Sequence, residues 1–116
     1  MRKPLAVLLF AVTAASAAVT AGAAEIVANP KAAPNKIEQY IGCHGIPDYK
    51  TAFPEVYQVP MIGGQSAKYI EAALHAYKKG DRKHPQMTPT ARVLSDQDIA
   101  DIAAYYSQQT AATPTK

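Results

Sequence analysis

The clearest alternation of apolar and polar positions lies near the end of the chain. Four apolar residues recur there at the three- and four-residue spacing of a helical face: Ile99, Ile102, Ala103 and Tyr106. Ser95 and Asp98 stand ahead of this stripe in the pattern of an N-terminal capping box. The sequence therefore predicts a helix from residue 95 to about residue 108.

A second stripe predicts a helix over residues 66–79. Its apolar face carries four residues at helical spacing: Ile70, Ala73, Leu74 and Tyr77. Ser66 is a suitable N-cap, and Gly80 follows two lysines, as a C-terminal stop signal does.

A short helix is predicted over residues 36–42, with Asn35 as its N-cap. It places Cys43 and His44 at its C-terminal end. Gly45 follows and is expected to end the helix in a left-handed conformation.

The segments between the helices show no regular period. Residues 46–64 are rich in Pro, Gly and aromatic residues, so they are either the wall of a pocket or a surface loop that buries its own aromatics. Pro85 and Pro89 bracket Met87, and the prediction is an irregular segment that excludes a regular helix. Three main helices with long irregular loops and no strand indicate an all-α fold.

The N-terminal region has the composition of a secretory signal. Arg2 and Lys3 precede an apolar run, and small residues with two A-x-A-like cleavage sites follow. We expect residues 1–24 to be cleaved, 25–34 to be a flexible lead-in, 35–108 to form the domain and 109–116 to be a disordered tail. The mature protein is expected to be periplasmic, with no membrane association unless the signal stays uncleaved.

Charge and size narrow the classes of function. The whole chain has 12 basic and 9 acidic residues, but two of the basic ones lie in the signal, so the mature chain is nearly neutral and gives no argument for nucleic-acid binding. One cysteine cannot form an intramolecular disulfide. An exported domain this small and without a cross-link commonly depends on a cofactor to complete its core.

Candidate chemistry centres on the run Tyr40-Ile41-Gly42-Cys43-His44. A Cys followed by His is the second half of the C-x-x-C-H signature for haem attachment, and here Tyr40 replaces the first Cys. Neighbouring residues rarely form a catalytic Cys–His pair. A zinc site would have to combine Cys43 and His44 with His75 and His84, whose spacing matches no zinc motif.

The order of segments resembles the small periplasmic class I c-type cytochromes of bacteria, including single domains of dihaem members. The resemblance rests on Cys43-His44-Gly45, on Pro60-x-Ile62-Gly63-Gly64-Gln65, on Ala76-Tyr77-Lys78-Lys79-Gly80, and on the run from Leu94 to Asp101. It covers nearly all of the mature chain, residues 36–107.

The resemblance implies a cytochrome c-like fold around one haem c. His44 and Met87 would be the axial ligands of the iron, and Cys43 would form a thioether to the porphyrin. Further cofactor-binding residues would form the pocket wall: Pro60, Ile62, Ile70 and Leu74. With both axial positions filled, such a protein transfers single electrons and is not an enzyme, although it can be a subunit of an oxidoreductase.

Tyr40 leaves the mode of haem binding open. Tyr cannot add to a vinyl group, so at most one thioether is expected, and the alternatives are noncovalent haem or no haem. Without haem, the protein would be a cytochrome-fold binding or assembly module in the cell envelope. The expected partners of the haem protein are redox proteins, namely a dehydrogenase, an oxidase or a membrane electron-transfer complex.

Overall fold

A computed structural model describes residues 24–53 and 55–110 of the chain. All but the last residue of the predicted signal, and positions 111–116 of the predicted tail, lie outside the described residues. Within the described part, no helix has the length and apolar character needed to cross a bilayer.

Apart from two strands of two residues each, the regular elements of the described chain are all helices, which confirms the all-α prediction. A 3-10 helix at Pro30–Asn35 precedes seven-residue helix α1, and two short strands precede three further helices. The elements are α1 (Glu38–His44), β1 (Lys50–Thr51), β2 (Tyr57–Gln58), α2 (Ala67–Lys79), α3 (Met87–Arg92) and α4 (Asp96–Ser107). The two strands pair antiparallel, Lys50 opposite Gln58 and Thr51 opposite Tyr57, within the loop that was expected to be irregular.

The ends of α2 and α4 are determined by local sequence, as predicted. Ser95 Oγ accepts a hydrogen bond from the Asp98 N–H at 3.1 Å, and the Asp98 carboxylate accepts one from the Ser95 N–H at 2.9 Å. Ser66 caps α2 in the same way, at 3.5 Å from the Tyr69 N–H. Gly80 ends α2 with a φ of 89°, the left-handed conformation that glycine adopts without strain.

The prediction for α1 was wrong at both ends. Asn35 ends the 3-10 helix, and Ile37 stands at the N-cap of α1 without a side-chain hydrogen bond. Gly45 has a φ of −95° and donates its N–H to Ile41 O at 3.1 Å, so it continues the right-handed turn. The positive φ in this region occurs instead at Asp48, at 55°.

The predicted flexible lead-in is ordered from Asn29 onward. Proline has a φ that suits a 3-10 turn, and Pro30 and Pro34 both lie in the 3-10 helix, which buries Ala33 and packs against α4. The Asn29 N–H donates to the buried carboxylate of Asp101 at 2.7 Å, and Lys36 Nζ donates to the same carboxylate at 3.0 Å. These contacts attach the segment to α4.

The segment around Met87 is also helical rather than irregular. α3 begins at Met87, and Pro89 is its third residue. The first four N–H groups of a helix have no partner within it, so a proline at this position removes no helical hydrogen bond. Pro89 therefore does not prevent the helix.

The core lies where α2, α4 and the 3-10 helix meet. Its largest fully buried side chains include Ile37, Ile99, Ile102 and Tyr106. Tyr40 of α1 belongs to the same cluster and is 2% exposed. α2 packs on α4 with one face and on α3 with another, which leaves a cleft beside α1.

Candidate functional site

A deep, largely apolar cleft opens between α1, the chain that follows β2, α2 and α3. Its empty space, including the part open to solvent, is about 1090 Å³. All seven residues that the sequence singled out contribute to its lining: Cys43, His44, Pro60, Ile62, Ile70, Leu74 and Met87. The fold therefore brings together side chains that lie up to 44 positions apart in the sequence.

His44 is the last residue of α1 and its ring has a defined orientation. Nδ1 lies 2.7 Å from the carbonyl oxygen of Pro60. A carbonyl only accepts, so Nδ1 carries the hydrogen and Nε2 keeps its lone pair. Burial, the largest influence, lowers the pKa of His44, which favours the neutral imidazole. A neutral ring whose other nitrogen donates a hydrogen bond to a carbonyl oxygen is the usual form of a metal-binding histidine.

Met87 is positioned by its backbone. The N–H groups of Gln86 and Met87 both donate to His84 Nδ1, at 3.2 and 3.3 Å, so this ring caps the start of α3. Tyr57 packs its ring edge against His84 with a centroid distance of 4.6 Å. The thioether of Met87 lies half-buried against the core at the cleft wall.

His84 lines the cleft too, and sequence reasoning missed its role. Because its Nδ1 accepts two N–H groups, Nε2 must carry the hydrogen of the neutral ring and has no lone pair for a metal ion. His84 thus acts as a cap that positions Met87. The signal that was available is Thr88, whose hydroxyl accepts the His84 N–H at 2.9 Å and closes the same turn.

Cys43 and Tyr40 lie one helical turn apart on α1, and both line the cleft. Cys43 is a partly exposed free thiol. The Tyr40 ring is buried, and its hydroxyl has no hydrogen-bond partner among the described residues. Burial, with a smaller contribution from Asp98, raises the pKa of Tyr40 to about 12, so the phenol is neutral.

Several polar and aromatic residues of the cleft were not predicted from the sequence. They lie on β2, on α2 and on the connector before α3: Tyr57, Tyr69, Tyr77, Arg82, His84 and Gln86. Tyr57 and Val59 support the pocket-wall interpretation of the loop at 46–64. Phe53 of that loop is 83% exposed and supports neither alternative.

The donor set fits a haem better than a bare metal ion. The described residues contain no group of three or more His, Cys, Asp or Glu side chains that could bind an ion. The cleft instead offers one imidazole nitrogen, one thioether and one thiol among apolar walls, which are the protein groups that bind a c-type haem.

No family model matches the chain, but several of its relatives are named as c-type cytochromes. The chain is 47% identical to cytochrome c-554(548) of Halomonas halodenitrificans over 78 residues, which are 65% of this chain and 89% of the relative. It is 40% identical to cytochrome c4 of Pseudomonas aeruginosa over 58% of this chain, but spans only 31% of that protein. A more distant relative is the thiosulfate dehydrogenase electron acceptor of Stutzerimonas stutzeri, 31% identical over 61% of this chain and 32% of its own length.

The helical fold and the similarity to the Halomonas protein both indicate a small cytochrome c. The match covers 89% of that cytochrome, and helices predominate among the regular elements of the described chain. The chain belongs to the class I c-type cytochromes.

Proposed function

We propose that this protein is a periplasmic carrier of single electrons, with one c-type haem in the cleft between α1, α2 and α3. The observation that supports this most directly is the hydrogen bond from His44 Nδ1 to the Pro60 carbonyl, which leaves Nε2 free beside a cleft that Met87 also lines. Proteins of this family carry electrons, so the chain is an electron carrier rather than an enzyme.

In this proposal the protein supplies ligation, orientation and exclusion of water. His44 and Met87 bind the iron, and Pro60, Ile62, Ile70 and Leu74 enclose the ring. The haem, when bound, supplies a one-electron couple, and Met ligation raises its reduction potential. The His84 cap and the Pro60 carbonyl orient the two ligands.

We further propose that Cys43 is the only covalent attachment. Its thiol adds across one haem vinyl group: sulfur bonds to one vinyl carbon, the thiol hydrogen goes to the other, and no oxidant is needed. Tyr40 occupies the position of the missing first Cys and lines the cleft with its ring. A phenol does not undergo this addition, so the second vinyl group stays unsubstituted.

The proposal also covers the export of the carrier, the start of its folded domain and its partners. Residues 1–24 act as an export signal, and the folded domain begins at Asn29 instead of residue 35, because Asn29 and the 3-10 helix bind α4. Its partners are redox proteins. A relative named as an electron acceptor of thiosulfate dehydrogenase makes a dehydrogenase the first class of partner to test.

An absorption spectrum of the exported protein, followed by acid-acetone extraction, tests haem binding and its attachment together. We expect a reduced c-type spectrum and colour that stays with the protein. Colour that extracts would contradict attachment through Cys43 but not the ligand set. A colourless protein that takes up no haemin would contradict the proposal and favour the haem-free module.

The chain offers a matched pair of methionines for testing the sixth ligand. Met87→Ala is expected to abolish the low-spin His/Met spectrum and to lower the reduction potential. Met61→Ala is the control, because Met61 is 40% exposed and is not part of the cleft lining. Equal spectra for the two variants would show that Met87 is not the ligand.

A further inference from the structure

The turn that carries Met87 is capped by a ring instead of a short side chain. The N–H groups of Gln86 and Met87 share one lone pair, that of His84 Nδ1, at 3.2 and 3.3 Å. Helix starts are usually capped by the oxygen atoms of Ser, Thr, Asp or Asn. The lone pair of an imidazole nitrogen lies in the plane of the ring, so the ring accepts both N–H groups only in a narrow range of orientations. The cap therefore depends on what holds the His84 ring.

Tyr57 contacts this ring directly. The two ring centroids are 4.6 Å apart and the ring planes are inclined at 72°, an edge contact of the kind that aromatic pairs prefer. Tyr57 is in turn held by the strand pair: it lies opposite Thr51, whose hydroxyl donates to the Tyr57 carbonyl oxygen at 3.4 Å. The orientation of the His84 ring is thus linked to β2.

A hydrogen bond joins the same two segments a second time. Gln86 Nε2 donates to the carbonyl oxygen of Phe53, in the loop between β1 and β2, at 3.1 Å. A small hollow between the segments is lined by three residues from each: Thr51, Glu55, Tyr57, His84, Pro85 and Gln86. Within the described chain, β1 and β2 pack closely on each other, and the other closely packed pairs of elements are formed by helices. The strand pair and the Met87 turn therefore support each other beside the cleft.

We propose that Tyr57 is a positioning residue for the sixth ligand: it holds the His84 ring in the orientation that caps the Met87 turn, and so couples the β1–β2 strand pair to the bond between Met87 and the iron. The inference rests on the proposed function, because it takes Met87 as the ligand. It adds a residue outside the ligand set, which acts through His84.

Loss of the Tyr57 ring should loosen the turn without removing its acceptor. The imidazole of His84 then visits orientations in which the N–H groups of Gln86 and Met87 have no partner, so their hydrogens exchange with solvent more often. The Met87 sulfur should leave the iron more often for the same reason. Because methionine ligation raises the reduction potential, the potential should fall.

The test compares four haem-loaded proteins: wild type, Tyr57→Val, Tyr57→Phe and Phe53→Val. Valine suits a strand but removes the ring, whereas phenylalanine keeps it. Phe53→Val is the matched control, because it removes an aromatic ring from the same pair of strands and their loop, while Phe53 is 83% exposed and lines neither the cleft nor the hollow. If Tyr57→Val fails to fold, Tyr57→Leu takes its place.

Two rates report on the turn. NMR of the reduced protein measures hydrogen exchange at the Gln86 and Met87 amides, and absorption of the oxidised protein follows the replacement of Met87 by added imidazole. In Tyr57→Val we expect both rates to rise about threefold to tenfold, the range that follows from losing one aromatic pair. Tyr57→Phe and Phe53→Val should match wild type in both rates.

The variant His84→Asn separates positioning from a general loosening of the fold. Asparagine supplies an acceptor for N–H groups two and three residues ahead, as in an ordinary cap, and needs no aromatic neighbour to orient it. Adding Tyr57→Val to His84→Asn should therefore change neither rate further. A Tyr57 that only stabilised the strand pair would raise both rates equally in either background.

The results that would overturn the inference are distinguishable from failure of the proposed function. If wild type shows a His/Met spectrum and Tyr57→Val leaves both rates unchanged, or changes them equally with His84 and with Asn at position 84, Tyr57 does not position the ligand and the proposed function stands. Failure of wild type itself to bind haem would remove the proposed function and this inference together.

Discussion

Tyr40 and Tyr106 are two buried residues whose rings and hydroxyl groups have opposite effects on stability. Both are at most 2% exposed, and neither hydroxyl has a hydrogen-bond partner among the described residues. Burial raises the pKa of both phenols. An unsatisfied buried hydroxyl costs roughly 1–3 kcal/mol, whereas the ring that carries it contributes apolar contacts.

Removing the Tyr40 hydroxyl should therefore stabilise the protein. Tyr40→Phe keeps the ring, and we expect the free energy of unfolding to rise by about 1 kcal/mol, because the cost of desolvating the hydroxyl disappears. Urea unfolding of the haem-loaded protein measures this. Tyr105→Phe, at a partly exposed position, serves as the control and should change little. A loss of stability in Tyr40→Phe would mean that a buried water satisfies the hydroxyl.

Among the helices, α4 has a start that is fixed both by local sequence and by ion pairs with another segment. Its capping box is encoded within four residues, and Lys36 adds an ion pair with Asp98 and another with the buried Asp101. The same helix thus anchors the 3-10 helix through Lys36 and Asn29. Contacts of α4 therefore hold a segment that lies about 65 residues earlier in the chain.

The two serine caps should differ in their effect on stability. Ser95→Ala is expected to lower the free energy of unfolding by about 1 kcal/mol, since it removes half of a reciprocal capping box. Ser66→Ala should cost less, because the Ser66 hydroxyl accepts at 3.5 Å and has no reciprocal partner in its cap. Thermal unfolding of both variants measures the difference, and a larger loss for Ser66→Ala would contradict this ranking.

Acid should weaken the same helix end. The pKa of Asp98 is lowered to about 2, chiefly by the Lys36 hydrogen bond and then by the Ser95 N–H. A pKa lowered in the folded state stabilises the protein above the ordinary value near 4, and this contribution is lost as pH falls from about 4 to about 2. The urea midpoint of wild type should fall across this range.

The variant Asp98→Asn isolates that contribution. It should be less stable than wild type at neutral pH, and its urea midpoint should fall less between pH 4 and pH 2. Asp81→Asn, in the exposed connector after α2, is the control and should keep the slope of wild type. If Asp98→Asn retained the full slope, other carboxyl groups would be responsible.

Elements were predictable from the sequence where their signals are local. α2 and α4 each have an N-cap next to an apolar stripe, and α2 also has a stop signal at Gly80. α3 and the 3-10 helix were missed because proline reads as a helix breaker. Whether it breaks a helix depends on its position in the first turn, and tertiary contacts decide that position: Ala33 is buried against the core and His84 caps α3.

At the scale of the molecule, core and cleft share residues. Five members of the buried cluster also line the cleft: Tyr40, Ile70, Leu74, Tyr77 and Ile102. A group that fills the cleft therefore extends the core, and its binding free energy adds to the free energy of unfolding.

This sharing predicts a dependence of stability on haem concentration once the covalent bond is removed. For Cys43→Ala, the temperature of unfolding should rise as haemin is added, by the mass-action relation for a ligand of the folded state. Loaded wild type should not respond to added haemin, because the proposed thioether to Cys43 would keep its haem attached. Calorimetry measures the unfolding temperature of both proteins. If added haemin left that of Cys43→Ala unchanged, the result would contradict the haem site.

Site residues were predictable only where the sequence itself carries chemistry. Cys43, His44 and Met87 were found through a motif and a resemblance, and the fold brings them to one cleft. Arg82 and Tyr57 gave no such signal, because they reach the cleft through the turn at Gly80 and the strand pair, and the sequence pattern specifies neither path. Their contribution depends on tertiary structure.

The buried ring of Tyr40 also constrains how this protein can change over generations. Tyr40→Cys would restore the pattern for a second thioether, yet replacing a core aromatic by a small side chain costs roughly 3 kcal/mol before any new bond forms. A variant with cysteine at position 40 would be less stable than its parent until a new bond offset this cost. The packing of this one side chain therefore opposes a change from Tyr to Cys at position 40.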